Sequence, residues 1–207
     1  MKEDGRKWPS VSLKEACLKI QDGTHFSPKL QFSEPGPGRY KYITAKNIRP
    51  WGIDLNDVTY LNEETHRGIY RRCNPELGDV LLTKDGVNTG MVAINTLDEE
   101  FSLLSSVALL KPRRDTLDAR YLRYFIESPR GSREIIGKMS GTAIRRIILA
   151  RIKEASIPLP PLNEQLRIVA EIEKQFTRID AGMLAVRQIK LKAQRLRSCV
   201  LLRGFGH

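Results

Sequence analysis

Apolar and β-branched residues gather into four short runs: Tyr40 to Thr44, Val80 to Thr83, Met91 to Ile94 and Val107 to Leu110. Gly, Pro, Asn or Asp bound each run, and short apolar stretches with such borders predict strands. Helical spacing marks two other stretches, Ser12 to Ile20 and Asp118 to Glu127. The second offers Asp118 as an N-cap and sets Leu122, Phe125 and Ile126 on one face. The fold class expected is α+β, a mixed α/β globule with long loops over residues 1–156.

The pattern breaks at Ile157-Pro-Leu-Pro-Pro-Leu162. Its prolines withhold backbone donors and predict an extended connection. After it, Asn163 is the expected cap of a long helix whose apolar positions are Leu166, Val169, Ile172, Phe176, Ile179, Met183, Val186, Ile189, Ala193, Leu196 and Val200. Ten steps over these 34 residues average 3.4, close to a coiled-coil seam. At about 1.5 Å per residue the stripe is roughly 50 Å long. Such an edge on a lone helix calls for a mate. Gly182 weakens the helix without ending it, and Gly204 is the expected stop. The boundaries expected are 1–156, 157–162 and 163–207.

Composition adds a charge asymmetry. The chain has 207 residues, 35 Lys and Arg against 24 Asp and Glu, and a net charge of +11. Residues 1–110 hold 14 basic and 15 acidic side chains, residues 111–155 hold 12 and 5, and residues 178–207 hold 7 and 1. A neutral first half followed by a basic second half attracts polyanions, of which nucleic acid is the commonest large one. A solvated basic surface is the plain alternative. With 41% hydrophobic residues there is enough apolar material for a core, and wholesale disorder is excluded. No run is long enough to span a membrane, and the first eight residues lack the apolar centre of a signal peptide. The expected location is cytoplasmic. Cys17, Cys73 and Cys199 show no metal-ligand spacing and read as free thiols.

Catalytic chemistry is hard to find. Gly36-Pro-Gly38 sits among prolines and reads as a turn, and no Asn-Pro-Pro-aromatic string occurs to hold a flipped base. Asp22-Gly-Thr-His25 reads as a structural turn, with Asp22 and Thr24 bonding to local backbone. His66 and His207 show no partners in sequence. Asp79 and Lys84 superficially suggest a nuclease site, but Leu82 stands where a second acid is needed for magnesium. No cofactor, metal or catalytic residue is expected. Two loops remain as candidates for phosphate contact, Lys84-Asp-Gly-Val-Asn-Thr-Gly90 and Gly141-Thr-Ala-Ile-Arg-Arg146.

Taken together, several strings resemble the specificity subunits of type I restriction-modification systems. They are Asp22-Gly-Thr-His25, Tyr42-Ile-Thr-Ala-Lys-Asn-Ile48 with Gly52-Ile-Asp54, and Gly78-Asp-Val-Leu-Leu-Thr-Lys-Asp-Gly86. Ser105-Ser-Val-Ala-Leu-Leu-Lys-Pro112, Tyr121-Leu-Arg-Tyr-Phe125, Gly141-Thr-Ala143 and Ile157-Pro-Leu-Pro-Pro-Leu-Asn-Glu-Gln165 follow in order. The resemblance runs from about Trp8 to Leu202. It implies a non-catalytic target recognition domain that reads half of a split double-stranded DNA target. It also implies a spacer helix that packs on a second one and docks methyltransferase subunits and, through them, a restriction subunit. Typical members carry two recognition domains and two helices, whereas this sequence has one of each, as a half-subunit or a piece of a longer one.

The DNA-proximal residues expected are Lys84, Asn88, Thr89, Arg145 and Arg146. Base readers are expected in the loops Asn56 to Asn74 or Arg113 to Arg120, because the family strings occur in members with different targets. A homodimer would form through Leu166, Val169, Ile172, Phe176, Ile179, Met183, Val186, Ile189, Leu196 and Val200. Arg187, Lys190, Arg195 and Arg197 face away from that seam, toward the methyltransferase, the DNA spacer or solvent. The competing reading is a coiled-coil protein-interaction module that does not bind DNA.

Overall fold

The structure, a computed structural model, describes residues 8–137 and 146–205. Two compact units make up the chain, residues 1–166 and residues 167–207. The strands of the first unit are β1 (Ser10–Ser12), β2 (Cys17–Asp22), β3 (Arg39–Ile43), β4 (Ile48–Arg49), β5 (Gly52–Ile53), β6 (Thr59–Asn62), β7 (Val80–Thr83), β8 (Val92–Ile94), β9 (Phe101–Leu103), β10 (Val107–Pro112) and β11 (Ser156–Pro158). Its helices are α1 (Leu13–Ala16), α2 (Glu63–Tyr70), α3 (Ala119–Glu127), α4 (Pro129–Ile135) and α5 (Leu149–Glu154), and α6 (Leu162–Phe205) begins in it. The fold class is α+β with a long C-terminal helix.

The central sheet has the order β2-β10-β7-β8 and is antiparallel throughout. Every residue of β7 and β10 is buried. Leu81 and Leu109 on one face join the core that includes Ile43, Ile48, Phe101, Leu103 and Val107. On the other side, α3 packs against β7 and β8 through an apolar face of Tyr121, Leu122, Phe125 and Ile126. Burial on both faces explains why these strands read as unbroken apolar runs rather than as alternation. A second sheet, β6-β3-β9, pairs β3 antiparallel to β6 and parallel to β9.

All four predicted strands are present, and α3 starts on the Asp118 cap, whose carboxylate accepts from the amides of Arg120 and Tyr121. Ser12 to Ile20 is a different case. Ser12 and Glu15 form a capping box, but the helix ends after one turn at Ala16, and Cys17 enters β2. Leu13, Ala16, Cys17 and Ile20 have helical spacing, yet pairing with β10 decides the conformation. The β2–β10 register slips between Lys111 and Pro112, leaving Leu18 out of the ladder and 64% exposed. The stretch expected as a loop from Asn56 to Asn74 holds β6 and α2, the latter capped by Asn62.

The proline connection is extended as expected, but it is also paired. Ile157 and Pro158 lie in β11 against Val11 and Ser10 of β1. The long helix starts at Leu162, one residue before the expected cap, with the Pro161 carbonyl accepting from the Glu164 and Gln165 amides. Buried Gln165 fixes this start: its amide donates to the carbonyls of Thr116 and Pro160, and its oxygen accepts from the Asp118 amide. The helix continues through Gly182 and past Gly204 to Phe205. Phe176, Ile179, Met183, Val186, Ile189, Leu196 and Val200 are all exposed. Val169 is only 1% exposed, which takes it out of that open stripe.

Candidate nucleic-acid interface

Four of the quoted strings meet at one end of the central sheet. There β2 ends at Asp22, β7 ends at Thr83 and β10 begins at Val107, with Asp22 opposite Ala108 and Thr83 opposite Val107. The Thr24 amide donates to the Leu103 carbonyl and the Ser105 amide to the Thr24 carbonyl, each at 2.8 Å. The Leu104 amide donates to the Ile43 carbonyl at 3.0 Å, and the Ala45 amide to Ser106 Oγ at 3.1 Å. The Lys84 amide donates to the Ser106 carbonyl at 2.7 Å. Glycine is required at position 23, since a Cβ there would lie 1.8 Å from the Leu103 carbonyl oxygen.

Lys84 does not reach outward. It is 5% exposed, and its ammonium donates to Asp22 Oδ2 at 2.6 Å. This removes Lys84 from the expected DNA-proximal set. Asp22 also differs from expectation, because its carboxylate gathers basic side chains rather than local backbone: His25 Nε2 stands at 3.2 Å and an Arg72 nitrogen at 3.6 Å. Burial by itself would raise the Asp22 carboxyl, but the Lys84 hydrogen bond and the Lys84, His25 and Arg72 charges together hold it below its ordinary value. Thr24 behaves as expected of a turn residue, its hydroxyl donating to the Phe26 carbonyl at 3.1 Å.

Asp79, the other half of the apparent nuclease pair, bonds Lys111 instead, at 2.8 Å. Here burial outweighs the Lys111 hydrogen bond and pushes the Asp79 carboxyl up. Asp79 and Lys84 thus belong to separate ion pairs, and each charge is occupied. Among the described residues no group of three His, Cys, Asp or Glu side chains stands close enough to hold a metal ion.

Of the two loops singled out in the sequence, the first is described throughout and the second only at Arg146, which lies beside the first. Asp85 and Arg146 form an isolated antiparallel bridge, and the Ile147 amide donates to the Lys84 carbonyl at 2.8 Å. Arg146 is exposed, with Nε 3.8 Å from Asp85 Oδ2. Gly86 and Gly90, both at positive φ, bracket the hairpin tip, where Val87 is fully exposed. Asn88 and Thr89 are half-buried: Asn88 Nδ2 lies 3.5 Å from the Ala45 carbonyl, and Thr89 Oγ1 donates to Gly86 at 2.6 Å. Arg145, the Gly141-Thr-Ala143 string and His207 lie outside the described residues.

His66 has partners that the sequence did not show. Its ring stacks on Tyr40 at 3.8 Å, and its nitrogens meet Ser102 Oγ at 3.0 Å and Glu100 Oε2 at 3.2 Å. Burial lowers its pKa against the opposing pull of Glu100. Arg72 was also missed, since nothing local in the sequence ties it to Asp22.

In this arrangement buried ion pairs fix the ends of the loops, while Val87 at the hairpin tip and Arg146 beside it face outward. The chain belongs to the type I restriction modification DNA specificity domain family, whose model matches residues 5–184. It is 24% identical over 163 residues to the type I restriction enzyme EcoBI specificity subunit of Escherichia coli, covering 79% of this chain and 34% of that one. To the EcoKI specificity subunit of Escherichia coli strain K12 it is 25% identical over 201 residues, covering 94% and 42%. The HsdS subunit from Thermoanaerobacter tengcongensis shares the fold with a TM-score of 0.63 and 22% identity, over 94% of this chain and 48% of that one. A chain from a type I R-M system solved for its complex assembly and conformational transition gives 0.69 and 23%, over 94% and 46%. The chain thus spans between a third and a half of the length of these relatives.

Proposed function

We propose that the chain is a non-catalytic DNA-recognition element of a type I restriction-modification complex. Residues 1–156 form the target recognition domain, 157–162 a connection, and 163–207 a spacer and dimerisation helix. The head reads one half of a bipartite target. The open stripe of α6 pairs with a second copy, and the assembly docks methyltransferase subunits. The observation that carries this reading is the family match over residues 5–184, which takes in the head and the first half of α6. The excess of basic side chains in residues 111–155, twelve against five, supports a polyanionic partner.

Asn88, Thr89, Arg145 and Arg146 remain the DNA-proximal residues, without Lys84. Titration of the chain with random and selected duplexes across a salt series tests the proposal. Affinity falls linearly in log units with log salt, and charge reversal of Arg146 weakens all duplexes alike. Absence of binding to any duplex, with α6-mediated association intact, returns the function to a protein-interaction module. Co-purification with a methyltransferase subunit, followed by mapping of the protected adenines, reads out the target.

A further inference from the structure

The turn after β2 and helix α2 enclose an open cleft of about 650 Å³, whose walls include Thr24, His25, Phe26, Glu64, Gly68 and Arg72. We propose that this cleft is a DNA subsite: Arg72 and His25 hold a backbone phosphate, and Glu64, in the first turn of α2, accepts the exocyclic amine of a neighbouring cytosine or adenine. The inference rests on the DNA-binding reading above and extends it to a place that the loop strings do not mark.

The count of hydrogen-bond donors around Asp22 is the first support. One buried carboxylate faces the Lys84 ammonium, the Arg72 guanidinium and the His25 imidazole, and Lys84 takes one of its oxygens at 2.6 Å. Arg72 is left at 3.6 Å with 46% of its side chain exposed, and His25 at 3.2 Å with 58% exposed. A single carboxylate that is already bonded cannot satisfy the five N–H donors of Arg72, so donor capacity remains at the mouth of the cleft. Arg72 is nonetheless well placed: it also donates to the Gly23 carbonyl, which orients the guanidinium. An arginine held this way on a rigid turn is suited to a phosphate oxygen.

The second support is the shape and composition of the walls. Phe26 is 64% exposed beside His25, on backbone fixed by the Thr24 hydroxyl. That places an apolar ring where a sugar or base face would lie. Gly68 opens the opposite wall, for a Cβ there would meet nothing within 4 Å. Glu64, in the first turn of α2, adds a carboxylate at the end of that wall away from Arg72. A plain anion would be repelled by Glu64, whereas a nucleotide unit offers phosphate to Arg72 and His25 and an amino edge to Glu64. One wall comes from the Asp22-Gly-Thr-His25 string and the other from residues 63–72, within the segment where base readers are expected.

Binding of randomised duplex to the full chain, followed by fluorescence anisotropy, separates the outcomes. Arg72→Gln lowers the slope of log affinity against log salt by about 0.9, so binding is about eightfold weaker at 0.1 M salt relative to 1 M, for every sequence alike. Arg72→Lys keeps the charge and the slope. Glu64→Ala leaves the slope in place but erases a five- to hundredfold preference, approximately, at one base pair in a selection from a randomised library. An unchanged slope in Arg72→Gln overturns the phosphate contact, and an identical base preference in Glu64→Ala overturns the edge contact. Equal losses in Arg72→Gln and Arg72→Lys with a lowered melting temperature show a structural role and also overturn it. A wild-type chain that binds no duplex removes the DNA reading itself.

Discussion

Replacing Lys84 by methionine separates a frame residue from a DNA contact. The substitution keeps the length of the side chain and removes its charge, leaving Asp22 buried without the 2.6 Å bond. Both side chains are nearly inaccessible, at 6% and 2%, so solvent screening gives little relief. Breaking a buried pair typically costs about 3–5 kcal/mol. Arg72 and His25 still face the carboxylate, which favours the lower end, about 3 kcal/mol. For a chain of this size that corresponds to a fall in melting temperature of about 6–12 °C.

Two assays then point in different directions. Thermal unfolding followed by circular dichroism shows the drop, while the salt slope of DNA binding, measured well below the transition, stays at the wild-type value. The double replacement Asp22→Asn with Lys84→Met recovers much of the stability, since a neutral pair no longer leaves a buried charge alone. A phosphate-contacting lysine gives the reverse pattern: a melting temperature within a degree of wild type and a slope reduced by about one. That pattern would refute the burial argument.

Cysteine reactivity follows from burial. Cys17 and Cys73 are buried with their thiols pushed up to about 12, and Cys199 is exposed, so a thiol reagent modifies one cysteine in the native chain and all three in denaturant. Glutamate at both Ile179 and Val186, exposed positions of α6, converts a sedimenting dimer to a monomer without moving the melting transition of the head; an unchanged dimer counts against the stripe as the interface. The Asp22 carboxyl is held below its ordinary value of 3.8, so its contribution is present above the unfolded value and is lost as pH falls through the folded one. Between pH 7 and pH 3 the melting temperature of the wild type therefore falls more steeply than that of Asp22→Asn, and parallel curves would contradict the assignment.

Where a segment's environment is uniform, the sequence told the fold. Val80 to Leu82 and Val107 to Leu110 are buried on both faces, so their apolar runs needed no partner to be recognised. Asp118 and the Leu122, Phe125 and Ile126 face give α3 the same local clarity. β2 was hidden because Leu13, Ala16, Cys17 and Ile20 satisfy the helical template, and only β10 shows otherwise. α2 was hidden for a different reason, since only His66 and Ile69 of its eight residues are buried, leaving no apolar stripe to detect. At the site, the strings were legible one at a time, but their meeting was not. Lys84 and Asp22 are 62 positions apart, and the burial of one depends on the other.

A buried ion pair is weak evidence for net stability, and two in one sheet call for another account. Their positions suggest register. Asp79 immediately precedes β7 and bonds Lys111 of β10, while Lys84 immediately follows β7 and bonds Asp22 at the end of β2. β7 is therefore held by a buried charge at each end. An apolar strand buried on both faces has little in its side chains to resist a one-residue slip, because every register places aliphatic groups against aliphatic groups. Slipping by one would turn Asp79 and Lys84 to the opposite faces and strand four charges in the interior, which penalises the error far more than it rewards the correct pairing. Fixing β7 also fixes where the Gly86–Gly90 hairpin and the Asp22–His25 turn emerge. Asp22, Asp79 and Lys84 of these strings are thus engaged inside the head, and the proposed DNA contact is assigned to side chains that are not buried: Asn88, Thr89, Arg146, His25 and Arg72.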